Sequence, residues 1–401
     1  MSTTRFRRGA SSASNTSDAV HEAAEAALAE GDNIEDVALG VVMTSPSYDI
    51  PEVIDVLGTR LPSVPLIGST TAGEFTDEGV TEGGLVIALI VSERLSVASA
   101  VADGVSEDVF GTVQATVNNL PAVGDMDGEH VAAITFHDGL TGKGEEIALL
   151  TRQLLGGVPL VGGSAGDDLN LAETTVFTDS GASSDGVAIA LLAAEEPFGL
   201  AAKHGHTTLS DTYEVTRADA NVVHELDGEP AFEVWQREVA KTARDTYAID
   251  VDDLDPSDDR FAILLTQFEL GLKTKDGGYK IRWPGMTNST DGPLTFATGV
   301  PEGSEVRVMH SPKDEQINSA REAAQASLAH FEGEDVAGAL VFDCVCRGLI
   351  LEDEFGTAVD AIASELESPL AGFETYGEIS MPSEAATGYH NTTTSILLFP
   401  A

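Results

Sequence analysis

Apolar residues gather along this chain in short unbroken runs that recur in sets. Val37–Met43, Val131–Phe136 and Val336–Phe342 are each followed by an amphipathic stretch, Glu52–Arg60, Glu145–Leu155 and Phe355–Leu366. Each stretch leads into a second short run that ends in a glycine-containing turn. These are Pro65-Leu66-Ile67-Gly68 to Gly73-Glu74, Pro159-Leu160-Val161-Gly162 to Gly166-Asp167, and Pro369-Leu370-Ala371-Gly372 to Gly377-Glu378. A further apolar run closes each set: Leu85–Val91, Val187–Leu192 and Thr394–Phe399. Runs of this length between turn signals read as buried strands, and the amphipathic stretches read as helices. The pattern predicts a unit of strand, helix, strand, turn, strand, present three times, whose first crossover is a right-handed βαβ element with parallel strands.

Two units precede residue 200 and one follows residue 330. The stretch between them is different: Tyr213–Leu226 reads as strand and Pro230–Ala240 as helix, with Phe261–Gln267, Tyr279–Trp283 and Val306–Met309 as further strands. A linker is expected near Gly199–Thr212. The expected architecture is α/β, in two domains with mixed sheets built from the repeated unit. They span 23–205 and 206–401, behind a disordered tail at 1–22. The turn glycines Gly68, Gly73, Gly162, Gly166, Gly372 and Gly377 are expected at positive φ or where backbone packs too close for a Cβ. The carboxylates Glu74, Asp167 and Glu378 are expected at equivalent turns.

Charge changes this picture more than any other feature. Asp and Glu number 67 against 21 Lys and Arg, a formal net charge of −46, while 42% of residues are hydrophobic. That is enough apolar material for packed cores, so the acidity does not signal disorder. Such a surface repels itself in dilute buffer and is screened at molar salt, where the Debye length falls to about 3 Å. Adaptation to a salt-filled cytoplasm is the expected reason. A basic stripe that would hold a nucleic-acid backbone is missing. No run of about 18 apolar residues predicts a membrane span. Arg5, Arg7 and Arg8 resemble a twin-arginine start, but polar Ser11–Ser17 follows, so no secretion signal is expected. The two cysteines, Cys344 and Cys346, are too close in sequence for an unstrained disulfide and suit a reducing compartment.

At the turn motifs the chain resembles the FIST family of paired N-terminal and C-terminal domains. The N-terminal resemblance rests on Gly68-Ser69-Thr70-Thr71-Ala72-Gly73-Glu74 and Gly162-Gly163-Ser164-Ala165-Gly166-Asp167-Asp168. The C-terminal one rests on Tyr213-Glu214-Val215-Thr216, on Glu225 to Ala231, and on Val300-Pro301-Glu302-Gly303. It continues through Phe342-Asp343-Cys344-Val345-Cys346-Arg347, Gly372-Phe373, Tyr376-Gly377-Glu378-Ile379 and His390-Asn391-Thr392. The resemblance implies a sensory module that binds small ligands such as amino acids and serves histidine kinases or chemotaxis receptors. Ser69 stands where relatives often carry Cys. With no output domain in the sequence, a separate signalling partner is expected.

Several candidate chemistries remain. Gly162-Gly163-Ser164-Ala165-Gly166 spells the G-x-S-x-G of a hydrolase elbow, but no good helix follows it, so it reads as a backbone turn. Cys344, beside Arg347 and with His390 as base, is the one arrangement that would make a cysteine enzyme. A buried strand cysteine is the simpler reading. His204 and His206 lack a third metal ligand and read as a solvated loop, as do Asp250, Asp252, Asp253, Asp255, Asp258 and Asp259. No metal or cofactor is expected. His137, in His137-Asp138-Gly139, lies beyond a strand end and serves either a ligand or the cap of the next helix.

The expected ligand site is a pocket in the C-terminal half. Arg347 would hold a carboxylate, Glu378 an ammonium, Phe373 and Tyr376 would wall it, and Cys344, His390 and Asn391 would complete it. The alternative is a direct Arg347–Glu378 pair. A ligand-free interaction scaffold would show no pocket.

The charge balance yields a first prediction. Below about 0.5 M salt, where screening lengthens, the protein loosens or unfolds. A cooperative melt whose midpoint is unchanged between roughly 0.1 and 3 M potassium chloride would refute it.

Overall fold

The computed structural model describes residues 4–28, 32–81, 83–275, 277–382 and 388–401. Three units follow one another. The first comprises β1 (Arg5–Ser11), α1 (Thr16–Ala27), β2 (Val37–Thr44), α2 (Ile50–Arg60), β3 (Leu66–Thr70), a hairpin of β4 (Glu74–Thr76) and β5 (Gly79–Thr81), and β6 (Leu85–Val91). The second repeats this order: β7 (Ser96–Asp103), α3 (Val109–Asn118), β8 (His130–His137), α4 (Gly144–Leu154), β9 (Leu160–Ser164), hairpin β10 (Val176–Thr178) and β11 (Gly181–Ser183), and β12 (Gly186–Ala194).

The third unit begins with β13 (Gly199–Lys203) and is then interrupted by an inserted module. That module contains β14 (Thr207–Thr208), β15 (Tyr213–Asp219), β16 (Val222–Leu226), β17 (Glu229–Pro230), α5 (Ala231–Tyr247), α6 (Asp259–Gln267), β18 (Phe268–Lys273), β19 (Tyr279–Arg282), β20 (Leu294–Thr295) and β21 (Glu305–His310). The unit resumes with α7 (Lys313–His330), β22 (Val336–Cys344), α8 (Val345–Leu351), α9 (Phe355–Leu366), β23 (Leu370–Thr375), hairpin β24 (Glu378–Met381) and β25 (Gly388–His390), and β26 (Thr394–Pro400).

The fold class is the expected mixed α/β, and the repeated unit is real but longer than the sequence pattern indicates. Each unit opens with a strand and helix that the apolar pattern misses. In each unit the crossover strands are parallel: β2 with β3, β8 with β9, β22 with β23. The closing strand lies antiparallel on the other side, and the opening strand pairs with it.

The inserted module forms a sheet of its own, and in the sheet of each of the three units the last two strands come from a different unit. The sheets run β1-β6-β2-β3-β10-β11, β7-β12-β8-β9-β24-β25 and β13-β26-β22-β23-β4-β5. The hairpin of the first unit thus completes the sheet of the third, that of the second completes the first, and that of the third completes the second. The registers match: Glu74 lies opposite Phe373, Val176 opposite Ser69, and Glu378 opposite Gly163. A boundary at 205/206 therefore separates stretches of sequence, not sheets.

This exchange explains the glycines. The incoming hairpins lay Phe177 over Gly68 and Phe75 over Gly372, where a Cβ would overlap the ring. Gly166 runs so close to the neighbouring turn that a Cβ would stand 2.8 Å from the Ala72 nitrogen. The carboxylates are not all equivalent. Glu74 and Glu378 begin corresponding strands, but Val176 holds that place in the second unit, and Asp167 lies in a longer loop before it.

Inside the three sheets lies one shared core, from Leu39 and Ile67 to Ile134 and Leu397. Phe136, Phe342 and Phe373 meet edge to face at 5.5–5.8 Å within it. Phe373 is thus a core residue and walls no pocket. Helices cover the outer faces, α1 and α2 on the first sheet, α3 and α4 on the second, α7 and α9 on the third. The inserted module has its own core around Phe232, Trp235 and Phe268, with Trp235 donating its indole N–H to the Phe268 carbonyl at 2.9 Å.

Three expectations need correction. The expected tail, whose residues 1–3 lie outside the described residues, is ordered from Arg5: β1 pairs with β6 over seven positions, and Arg8 pairs with Asp77 at 2.6 Å. Its arginines hid an edge strand, because long stems cover apolar surface while their charged ends reach acids. The alanine-rich α1 behind it, capped by Asn15, buries Ala19, Ala23 and Ala24. Gly199–Lys203 is no linker; it pairs with β26. Phe261–Gln267 is helical because Asp258 caps it and Phe261, Leu264 and Leu265 share one buried face.

At Gly162 the backbone is left-handed, φ 143°, and a Cβ would overlap the Thr135 carbonyl. Gly162→Ala is expected to cost about 2 kcal/mol or more. Gly58→Ala, in the exposed interior of α2 with nothing near its Cβ, should stabilise by roughly 0.5–1 kcal/mol. Denaturant midpoints of the two variants decide; equal effects would contradict this packing.

Candidate functional site

The parallel strands of all three sheets end where the turns meet. There the turns hold one another in a ring of backbone hydrogen bonds: Gly166 N–H donates to the Thr70 carbonyl (2.9 Å), Ala72 to Glu374 (3.0 Å) and Tyr376 to Ser164 (3.4 Å). The three bonds join corresponding positions of successive units.

Two buried carboxylates brace the ring. Glu378 accepts from the Thr375 hydroxyl at 2.5 Å and from Thr393 N–H at 3.1 Å. Glu74 accepts in the same way from Thr71 and from Gly84 N–H at 3.0 Å. Burial pushes the Glu378 carboxyl well above the usual range and Glu74 up to about 8. Both fasten a turn to the start of its closing strand, so Glu378 has no free oxygen pair for an ammonium.

Beside the ring lies a cleft of about 570 Å³. All three units contribute: Ala72 and Val80 from the first, Leu169 from the second, and Val345, Leu349, Phe355, Glu352, Asp353 and Glu374 from the third. Val80, Leu169 and Leu349 are 40–47% exposed, although they are large and apolar. Leu169 belongs to a loop in which Asp168, Leu169 and Leu171 all have left-handed backbones (φ 53°, 62° and 51°). Such conformations cost non-glycine residues energy and mark places where the surroundings impose them. Tyr376 and Asp167 hold this one: the Tyr376 hydroxyl donates to Asp167 and accepts the Leu169 N–H at 2.9 Å, and Asp167 accepts from the Leu171 N–H at 2.9 Å and the Ala172 N–H at 2.6 Å.

The residues expected at the ligand site divide. Cys344 and Cys346 pack behind the cleft with Ala72, Trp283 and Tyr376. Asn391 accepts from Trp283 N–H at 3.4 Å, and His390 is buried with an Nε2 that has no partner among the described residues. Arg347 does not belong. Its guanidinium turns away to Asp343 (2.5 Å), Gln316 and Ser319, fully buried, and pairs with neither a free carboxylate nor Glu378.

His137 neither caps α4, whose N-cap is Lys143, nor reaches solvent. Its Nδ1 faces the Asp138 carbonyl at 2.8 Å and must donate there, which leaves Nε2 to accept from the Ser164 hydroxyl at 3.1 Å. Burial lowers its pKa to about 4. Ser164 also meets the Tyr389 hydroxyl at 2.8 Å. His206 is likewise not solvated: it lies 2.9 Å from Glu269 and 2.6 Å from Ser311, between the inserted module and the third unit, while His204 beside it is half-buried. In the acidic loop, by contrast, Asp250 and Asp258 cap helical turns.

Leu169, Val80 and Leu349 were not singled out in the sequence. Nothing local separates them from core leucines and valines; only the strand exchange brings them together.

The buried carboxylate gives a pH prediction. A folded pKa of about 8, above the ordinary 4.5, means Glu74 favours the folded state at low pH and loses that contribution as pH rises from about 4.5 to 8. Gln mimics the protonated form, with the Thr71 hydroxyl turned to accept. Glu74→Gln should match wild type near pH 5 and exceed its stability at pH 8, by on the order of 3 kcal/mol. A constant difference across that range of melts would overturn the assignment.

The family models for the FIST N domain and the FIST C domain match residues 38–229 and 231–381. An uncharacterized protein of Methanocaldococcus jannaschii is 22% identical over 305 residues, 75% of this chain and 57% of the relative. The chain thus spans little more than half of that relative's length. A chorismatase crystal structure aligns over the full length of both chains with a TM-score of 0.38 and 10% identity. A cyanuric acid hydrolase from A. caulinodans aligns over 100% of this chain and 99% of its own with a TM-score of 0.35 and 11% identity. Neither score carries an inference for this chain. Among the described residues no helix is long and apolar enough to cross a membrane. With both family models matched in order along the chain, this protein belongs to the FIST family, whose paired domains are small-ligand sensory domains of signal transduction.

Proposed function

We propose that this protein is a sensor whose ligand, an amino acid or a related metabolite, occupies the cleft beside the turn ring, and whose output passes to a separate partner such as a histidine kinase or chemotaxis receptor. One observation carries the reading: exposed apolar side chains from all three units border a single cleft of about 570 Å³, beside a loop held in a left-handed conformation. Its size suits a small ligand, and the mix of an apolar border with a few polar groups is what orients one. A ligand that repacks Leu169 would pull on Tyr376, and through it on the ring that joins the units.

A cysteine enzyme has less behind it. Burial pushes the Cys344 thiol well above its usual pKa, and it pushes the neighbouring Glu378 carboxyl up as well. A thiol held neutral is a poor nucleophile.

A thermal-shift screen of amino acids and related metabolites in molar potassium chloride tests the sensor reading. A ligand at 100 times its Kd should stabilise by about 2.7 kcal/mol. Leu169→Asp and Leu349→Asp should each abolish that shift while the unliganded melt stays cooperative. A screen without hits, or a shift that survives both substitutions, would sink the proposal.

A further inference from the structure

The strand exchange places three equivalent clefts around the molecule, each between the start of a crossover helix and the second strand of a borrowed hairpin. Matching registers identify one position that faces all three. Val80 lies opposite Phe75, Ala182 opposite Phe177, and Tyr389 opposite Ile379, and those three partners themselves occupy corresponding positions on the first hairpin strand.

The side chain at this position decides whether a cleft is open. Val80 borders the cleft of about 570 Å³, and exposed Ala182 borders a second one of about 660 Å³ together with Ile50, Pro51 and Thr70. In the third, the ring of Tyr389 fills the space. It is 5% exposed and presses on Gly144 so closely that a Cβ there would overlap it, and its hydroxyl reaches Ser164 at 2.8 Å.

Charge follows the same plan. A carboxylate stands near the start of the crossover helix in every cleft: Asp49 in one open cleft, Asp353 in the other, Glu145 in the filled one. Glu145 is already paired, 2.9 Å from Lys280 and 2.9 Å from Arg282, both supplied by the inserted module. Arg282 also donates to the Tyr389 carbonyl at 3.0 Å, so cation and ring arrive together. The protein therefore occupies one of its three clefts with an aromatic ring and a cationic group.

We propose that the two open clefts are both ligand sites and that each takes from a small molecule what Tyr389 and Arg282 supply in the third: a ring-sized apolar group joined to an ammonium or guanidinium. This rests on the sensor reading and narrows it. The Val80 cleft is the site already proposed, the Ala182 cleft is a second site, and the ligand class is a cationic arylalkylamine or its guanidinium counterpart and not an anion. The loop from Asp167 to Glu173 borders both clefts, with Leu169 in one and Asn170 in the other, so occupancy of one bears on the other.

Phenethylamine, with phenylacetate as the anionic counterpart, tests this by isothermal titration in molar potassium chloride. Phenethylamine should bind at two sites per chain and phenylacetate at neither. Val80→Tyr and Ala182→Tyr, which copy the filled cleft, should each remove one site. Methyl-labelled Val80 and Ala182 report the same occupancy by NMR in the unsubstituted protein, whether or not those variants fold, and both methyl signals should shift. Equal binding of phenylacetate, or no shift at either methyl, overturns the inference. If phenethylamine moves neither methyl while a screened metabolite still gives a shift abolished by Leu169→Asp, the ligand class falls and the sensor reading stands.

Discussion

Three backbone hydrogen bonds, from Gly166 to Thr70, from Ala72 to Glu374 and from Tyr376 to Ser164, close the chain into a cycle. Each joins the turn of one unit to the strand end of another, and each hairpin that follows a turn completes a foreign sheet. No unit can finish its own sheet, so none of the three is expected to fold without the others. The shared core of Phe136, Phe342 and Phe373 is the apolar consequence, since the inner faces of three sheets have only one another to pack against. The clefts are the polar consequence. They form where a borrowed hairpin passes a crossover helix, and their number follows from the cycle.

Within a chain of net charge −46 the few cations take specific places. Arg347 ties β22 and α8 to α7 through Asp343, Gln316 and Ser319. Lys280 and Arg282 fasten the inserted module to the second unit through Glu145. Removing one partner of such a buried pair strands the other charge, which costs more than the pair contributes. The buried carboxyls Glu74 and Glu378 are held differently: a threonine hydroxyl and a backbone N–H meet each of them, and burial raises both pKa values, that of Glu74 to about 8. The inserted module, lodged between β13 and α7, converts one of three similar clefts into an internal contact and leaves two facing solvent.

Much of the unit was legible in the sequence, because a strand buried on both faces must be apolar throughout and a helix on its outer face must be amphipathic. The crossover strands, their helices, the closing strands and the turn glycines all announce themselves this way, and the family motifs lie on those turns. The opening strands were not legible. β1 carries arginines whose stems cover apolar surface, and the buried face of α1 is made chiefly of alanine, which contrasts little with the polar residues around it. Arg347 looked like a ligand-binding cation because it follows an apolar strand; its partners Gln316 and Ser319 are about 30 residues away on α7 and share no local pattern with it.

The sequence by itself determined the crossover and closing strands, the crossover helices and their repetition, and marked the turn glycines as places of close approach, since these follow from periodicity and from the absence of a Cβ. Only the tertiary structure decided which strand completes which sheet. Edge pairing depends on how the units close upon one another, and Glu74, Val176 and Glu378 occupy corresponding places although one of them is not even polar. That closure turned Phe373 into core, carried Arg347 away from Glu378, and gathered Val80, Leu169 and Leu349 around one cleft. Residues nearly 270 positions apart meet there because cyclic exchange, unlike helix or strand periodicity, leaves no trace in the spacing of the residues it unites.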